Sequence, residues 1–126
     1  MSLRPLLTLS GGIEALVGVL VLVSPAMVVG VLLGGPTDST AVVLTRLFGA
    51  GVFALGLACL KARDDVRSTA GLAVAVGMTS YNILAAVLLV WAAVGLGLGG
   101  TLLWAAGISH AVIGVLFVSA FLTPRR

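Results

Sequence analysis

Residues 68–91 read STAGLAVAVGMTSYNILAAVLLVW. No charged side chain interrupts this stretch. At about 1.5 Å per residue it is long enough, as a helix, to cross the roughly 30 Å hydrocarbon core of a bilayer. Its apolar residues do not alternate with period two, and Ala, Leu, Val and Gly dominate it. Within lipid every backbone polar group must be satisfied inside the fold, which leaves helices or closed barrels. The absence of alternation excludes barrel strands and leaves a transmembrane helix.

Working outward, KARDDVR at 61–67 is the only strongly charged loop, and an apolar span at about 40–60 precedes it. On the other side GLGLGG at 95–100 reads as a flexible turn, followed by a span at about 101–122 and the terminal PRR at 124–126. Toward the N-terminus, GGPTDS at 34–39 is a turn by composition. PAMVVGVLL at 25–33 is apolar but too short to cross, and a first span occupies about 5–23. Pro5 suits a first helical turn. Ser24 before Pro25 is pushed away from helical geometry, and its side chain is expected to cap the short helix that follows. One long kinked helix from Leu6 to Leu33 is the alternative. The expectation is a single all-α membrane domain over 1–126, a bundle of four spans with a short interfacial helix after span 1.

Composition agrees. Of the 126 residues 60 % are hydrophobic and 9 % charged, against about 25 % charged in soluble domains. The mean hydropathy is +1.28. The net charge of +3 is explained by where the basic residues stand, so nucleic acid is not an expected partner. Arg4, the Lys61/Arg63/Arg67 loop and Arg125/Arg126 all fall on one side of the four-span arrangement, whereas the loops of the other side hold only Asp38. The positive-inside rule makes the basic side cytoplasmic, with both termini inside, and places the protein in the cell membrane. Trp91 and Trp104 fall near the opposite interface, where indole rings favour headgroup level. The N-terminal MSLR resembles the start of a secretion leader, but Glu14 interrupts the apolar run and no clear cleavage pattern ends it, so it reads as a retained span. The single Cys59 reads as a small buried apolar residue, and no Cys/His spacing suggests a metal. The GxGxxG-like glycine stretch follows no strand and is not read as a nucleotide site.

Four interior residues stand out because lipid makes them costly: Glu14, Arg46, Asn82 and His110, one per span. A charge at the bilayer centre costs at least about 2.5–3.5 kcal/mol on insertion scales, so such groups face the interior and find partners. From the helical rise, Glu14 and His110 lie roughly 15 Å, and Arg46 and Asn82 roughly 20 Å, above the basic side. Each shares a stripe with small residues: Gly11, Glu14, Gly18 and Val21; Arg46, Gly49, Phe53, Gly56 and Leu60; Gly71, Ala75, Met78, Asn82 and Ala85; Gly107, His110, Gly114 and Phe117. Small residues let helices approach in membranes. The simplest account is a Glu14–Arg46 ion pair completed by Asn82 and His110. His110 is the member that changes charge nearest neutral pH. Tyr81 and Ser109, about 100° off these stripes, and Trp104 are second-tier candidates. Thr45 and Ser80 can satisfy carbonyls of their own helices.

These features resemble small four-helix bacterial membrane proteins of the DoxX-like kind and related uncharacterised families. The matching elements are LVSPAMVVGVLLG at 22–34, RLFGAGVFALGLACL at 46–60, the basic loop, Tyr81-Asn82, and AGISH ending at His110. The resemblance implies a four-helix fold in the bacterial inner membrane. Some DoxX-like proteins are accessory subunits of redox complexes, which suggests a membrane protein partner, although this chain has no cysteine pair for redox chemistry of its own. No nucleophile, cofactor site or metal site is identified. The leading reading is a non-catalytic accessory subunit, or a binder of a small lipophilic or anionic ligand through the polar layer. A purely structural layer that fixes helix register is the plain alternative. Further alternatives are an intramembrane enzyme on a lipophilic substrate with Glu14 and His110 as acid and base, and a proton-coupled transporter acting as a homodimer.

Overall fold

A computed structural model describes residues 2–123. Five helices follow in order: α1 Leu3–Val23, α2 Pro25–Leu33, α3 Ser39–Ala62, α4 Thr69–Gly95 and α5 Leu103–Leu122. There is no strand among the described residues. All but α2 are long and apolar enough to cross a membrane.

Local chemistry sets the helix ends. Asp38 accepts a hydrogen bond from the Ala41 N–H at 2.7 Å, and Ser68 accepts one from Gly71 at 3.0 Å, so α3 and α4 start behind side-chain caps. Between α1 and α2 a single residue, Ser24, leaves helical geometry at φ −131° and ψ 59°, with Pro25 in the next helix's first turn. The Ser24 side chain makes no capping bond, contrary to expectation. Gly34 closes α2 in the left-handed region at φ +76°. Helix α4 runs on to Gly95, four residues beyond Trp91, because Ala92, Ala93 and Val94 offer nothing to stop it.

The glycine stretch at 95–100 is not merely a flexible turn. Its backbone satisfies α2: Gly99 N–H donates to the Leu33 carbonyl at 3.3 Å and Leu102 N–H to the Val31 carbonyl at 2.9 Å. Those are carbonyls that a helix end leaves without partners. Gly97 takes φ +64° to make the turn, and a side chain on Gly100 would run into the Leu32 carbonyl.

The long helices pair as two antiparallel hairpins, α1 with α3 and α4 with α5, which meet along α3–α4 and α1–α5. In the first hairpin the glycines stand seven residues apart on both helices, at 11 and 18 and at 49 and 56. A Cβ on Gly18 would lie 2.5 Å from the Phe53 nitrogen, and one on Gly56 would lie 2.5 Å from the Ala15 nitrogen. The backbones therefore touch, as small residues allow. The second hairpin is looser, with Gly114 opposite Ile83 and Gly107 opposite Leu89.

The buried apolar core, Leu3, Leu6, Leu7, Cys59, Ala75, Met78 and Phe117, gathers at the end that carries Arg4 and the 63–68 loop, hereafter the basic end. The sides of the bundle are apolar on every long helix: Leu16, Leu47, Val87 and Val115 are 60–67 % exposed. Apolar surface of that extent needs a lipid or protein covering.

Candidate functional site

The four expected residues do not form one layer. Three contribute to a polar cluster where the hairpins meet, and one faces away from it.

Glu14 is 3 % exposed, in the middle of α1. One of its carboxyl oxygens, Oε2, accepts a hydrogen bond from the Tyr81 hydroxyl of α4 at 3.4 Å. The Tyr81 ring stands edge-on to His110 of α5, with centroids 5.4 Å apart and planes at 90°. His110 Nδ1 lies 2.9 Å from Asn82 Oδ1. Asn82, fully buried, donates through Nδ2 to the Met78 carbonyl at 2.9 Å. A carbonyl only accepts, so that bond fixes which way the Asn82 amide points. Its Oδ1 is then an acceptor for His110, and the proton on that ring sits at Nδ1. In the neutral ring Nε2 keeps its lone pair, and His110 is only half-buried. The cluster thus runs from a closed carboxyl on α1, through α4, to a half-buried imidazole on α5 whose Nε2 makes no hydrogen bond among the described residues.

Arg46 corrects the expected ion pair. It is exposed, and among the described residues no carboxylate lies within 4.0 Å of it. The buried side of α3 is marked by Gly49, Val52, Gly56 and Cys59. At about 100° per residue, Arg46 stands roughly 100° round the helix from the centre of that side. The stripe drawn through Phe53 had placed it inward, yet Phe53 itself is only half-buried. Arg46 lies seven residues, about 10 Å, from the start of α3. Its long side chain can reach from there toward the end of the bundle.

Of the second-tier residues, Tyr81 joins the cluster directly. Ser109 is exposed and bonds its own helix at the Ala105 carbonyl. Trp104 is also exposed, at the end opposite the basic one, where Trp91 is exposed too. Thr79 of α4 bonds the Ala75 carbonyl of its own helix, the kind of bond expected of Thr45 on α3 and Ser80 on α4.

Sequence reading missed Ser10. It is 1 % exposed, and its hydroxyl has no hydrogen-bond partner among the described residues. It stands four residues before Glu14 on the same side of α1. That i, i+4 spacing to a buried carboxyl was the available signal. No group of three or more His, Cys, Asp or Glu that could hold a metal ion occurs among the described residues.

No family model matches the chain, and no curated protein or solved structure matches it either.

Proposed function

We propose that the chain is a non-catalytic four-span protein of the cell membrane, with both termini cytoplasmic, that binds a small lipophilic ligand at the His110 edge of its polar cluster. The DoxX-like resemblance would place it in a bacterial inner membrane. The observation that carries this reading is the asymmetry of the cluster. Glu14 and Asn82 are closed in, whereas His110 is half-buried with Nδ1 committed to Asn82, which leaves Nε2 as its second hydrogen-bonding atom. In an apolar setting a lone hydrogen-bonding nitrogen selects a molecule that is mostly apolar and carries one polar group, such as a hydroxyl or carbonyl. The anionic ligand considered from the sequence loses its support, because Arg46 stands apart from the cluster.

The accessory-subunit reading is favoured by Arg46 itself. An unpaired guanidinium on an apolar helix side suits a partner helix bearing a carboxylate in its span. One experiment addresses both readings: purify the protein from native membranes and identify co-purifying small molecules and subunits by mass spectrometry. The ligand reading expects a lipophilic species that is retained by the native protein and lost in His110→Ala. A species retained equally by both would contradict it. A stoichiometric subunit lost in Arg46→Gln would support the second reading.

A further inference from the structure

The basic end carries a second feature, separate from the polar cluster. Arg4, Arg63, Asp64, Asp65, Val66 and Arg67 line an open pocket of about 320 Å³. Its parts come from two distant segments: Arg4 from the first turn of α1, the others from the α3–α4 loop. Asp64 joins them. Its Oδ1 accepts from an Arg4 guanidinium nitrogen at 3.3 Å, and its Oδ2 lies 3.7 Å from Arg63 Nε. The lining holds three guanidiniums, of Arg4, Arg63 and Arg67, against two carboxylates, of Asp64 and Asp65, which leaves one excess positive charge. Arg67, exposed on the same pocket, has no carboxylate within 4.0 Å among the described residues.

A signal for membrane sidedness needs only basic charge near a span end. It does not need that charge gathered, and this arrangement gathers it. Arg4 lies in the first turn of α1, where a cation opposes the helix dipole, yet Asp64 holds it against Arg63. The loop is itself ordered. Asp65 N–H donates to the Ala62 carbonyl, and both the Ser68 N–H and the Ser68 hydroxyl donate to the Asp65 carbonyl. The pocket sits where four apolar helices end, which is headgroup depth if those helices span a membrane. Guanidiniums pair with phosphate oxygens through paired N–H donors.

We propose that this pocket binds the phosphodiester headgroup of an anionic phospholipid from the leaflet facing the basic end. The proposal rests on the membrane-spanning reading but not on the His110 ligand. Its acyl chains would lie along the apolar sides of the bundle.

The test uses full-length protein, delipidated in detergent and offered equal amounts of phosphatidylglycerol and phosphatidylcholine, with native mass spectrometry of the bound lipid. The expected result is a preference for phosphatidylglycerol. Arg67→Ala, in an exposed loop position that leaves the helices intact, lowers that binding about fivefold, the worth of one basic residue at a membrane surface. Arg63→Ala is a second variant with the same expected direction. Lys61→Ala removes equal charge from the same region but lies outside the pocket, and leaves binding unchanged. Equal retention of both lipids overturns the proposal. So does a loss in Lys61→Ala as large as in Arg67→Ala, which would mean diffuse attraction. Binding of soluble glycerol phosphate without a lipid preference would show a free-phosphate site and also overturn it. Failure of the membrane-spanning reading is separately visible, as a protein that does not fractionate with membranes.

Discussion

At Tyr81-Asn82, two successive residues serve one site from different directions. Neighbours in a helix point about 100° apart, so they can reach different helices of the bundle. Asn82 therefore reaches α5, and Tyr81 reaches α1. Setting Tyr81 aside for lying off the inward stripe assumed one inward direction where the bundle has two. The two contacts differ in strength by geometry, at 2.9 Å for His110–Asn82 and 3.4 Å for Tyr81–Glu14. Side-chain hydrogen bonds between membrane helices average about 0.6 kcal/mol and reach about 1.7. Double-mutant cycles in a reversible detergent unfolding assay are expected to give a His110–Asn82 coupling of about 1 kcal/mol. The Tyr81→Phe and Glu14→Gln cycle is expected to give less. The reverse order would contradict the network described here.

The hairpin α1–α3 is held by backbone contact at heptad-spaced glycines. A new side chain at Gly56 must displace the Ala15 backbone, not a flexible side chain. Overpacking of this kind costs about 1–3 kcal/mol or more. Gly56→Leu is expected to destabilise the protein by at least that amount. Gly51→Leu is expected to be nearly neutral, since Gly51 is on the same helix but exposed, with nothing within 4 Å of an added Cβ. Equal effects in the two variants, read by unfolding midpoint, would sink the backbone-contact account. The helices themselves were legible because apolar length, Pro25 and the turn composition at 34–39 are local signals, whereas the caps at Asp38 and Ser68 went unread. The direction of Arg46 was not, because a glycine stripe on α3 only narrows a helix's contact side to within a residue or two. The role of residues 97–102 was also hidden. It depends on α2 folding back to present the Val31 and Leu33 carbonyls, a pairing across more than sixty residues of chain.

For the whole molecule, the four long apolar helices, their exposed aliphatic sides and the gathering of Arg4 with the 63–67 loop at one end make a consistent case for a membrane-spanning bundle. Arg125 and Arg126 lie outside the described residues, and Arg4 and the loop mark the basic end within them. The proposed His110 ligand and the proposed lipid pocket both presuppose this arrangement, one within the bilayer and the other at its surface. It is tested most directly by single cysteines placed at Ser39 and at Asp65 in a Cys59→Ala background. These positions begin α3 at the far end and line the loop at the basic end. In sealed cells a membrane-impermeant thiol reagent is expected to label the cysteine at position 39, and to reach that at position 65 only after the membrane is opened. Labelling of both positions from the same side would contradict the four-span arrangement.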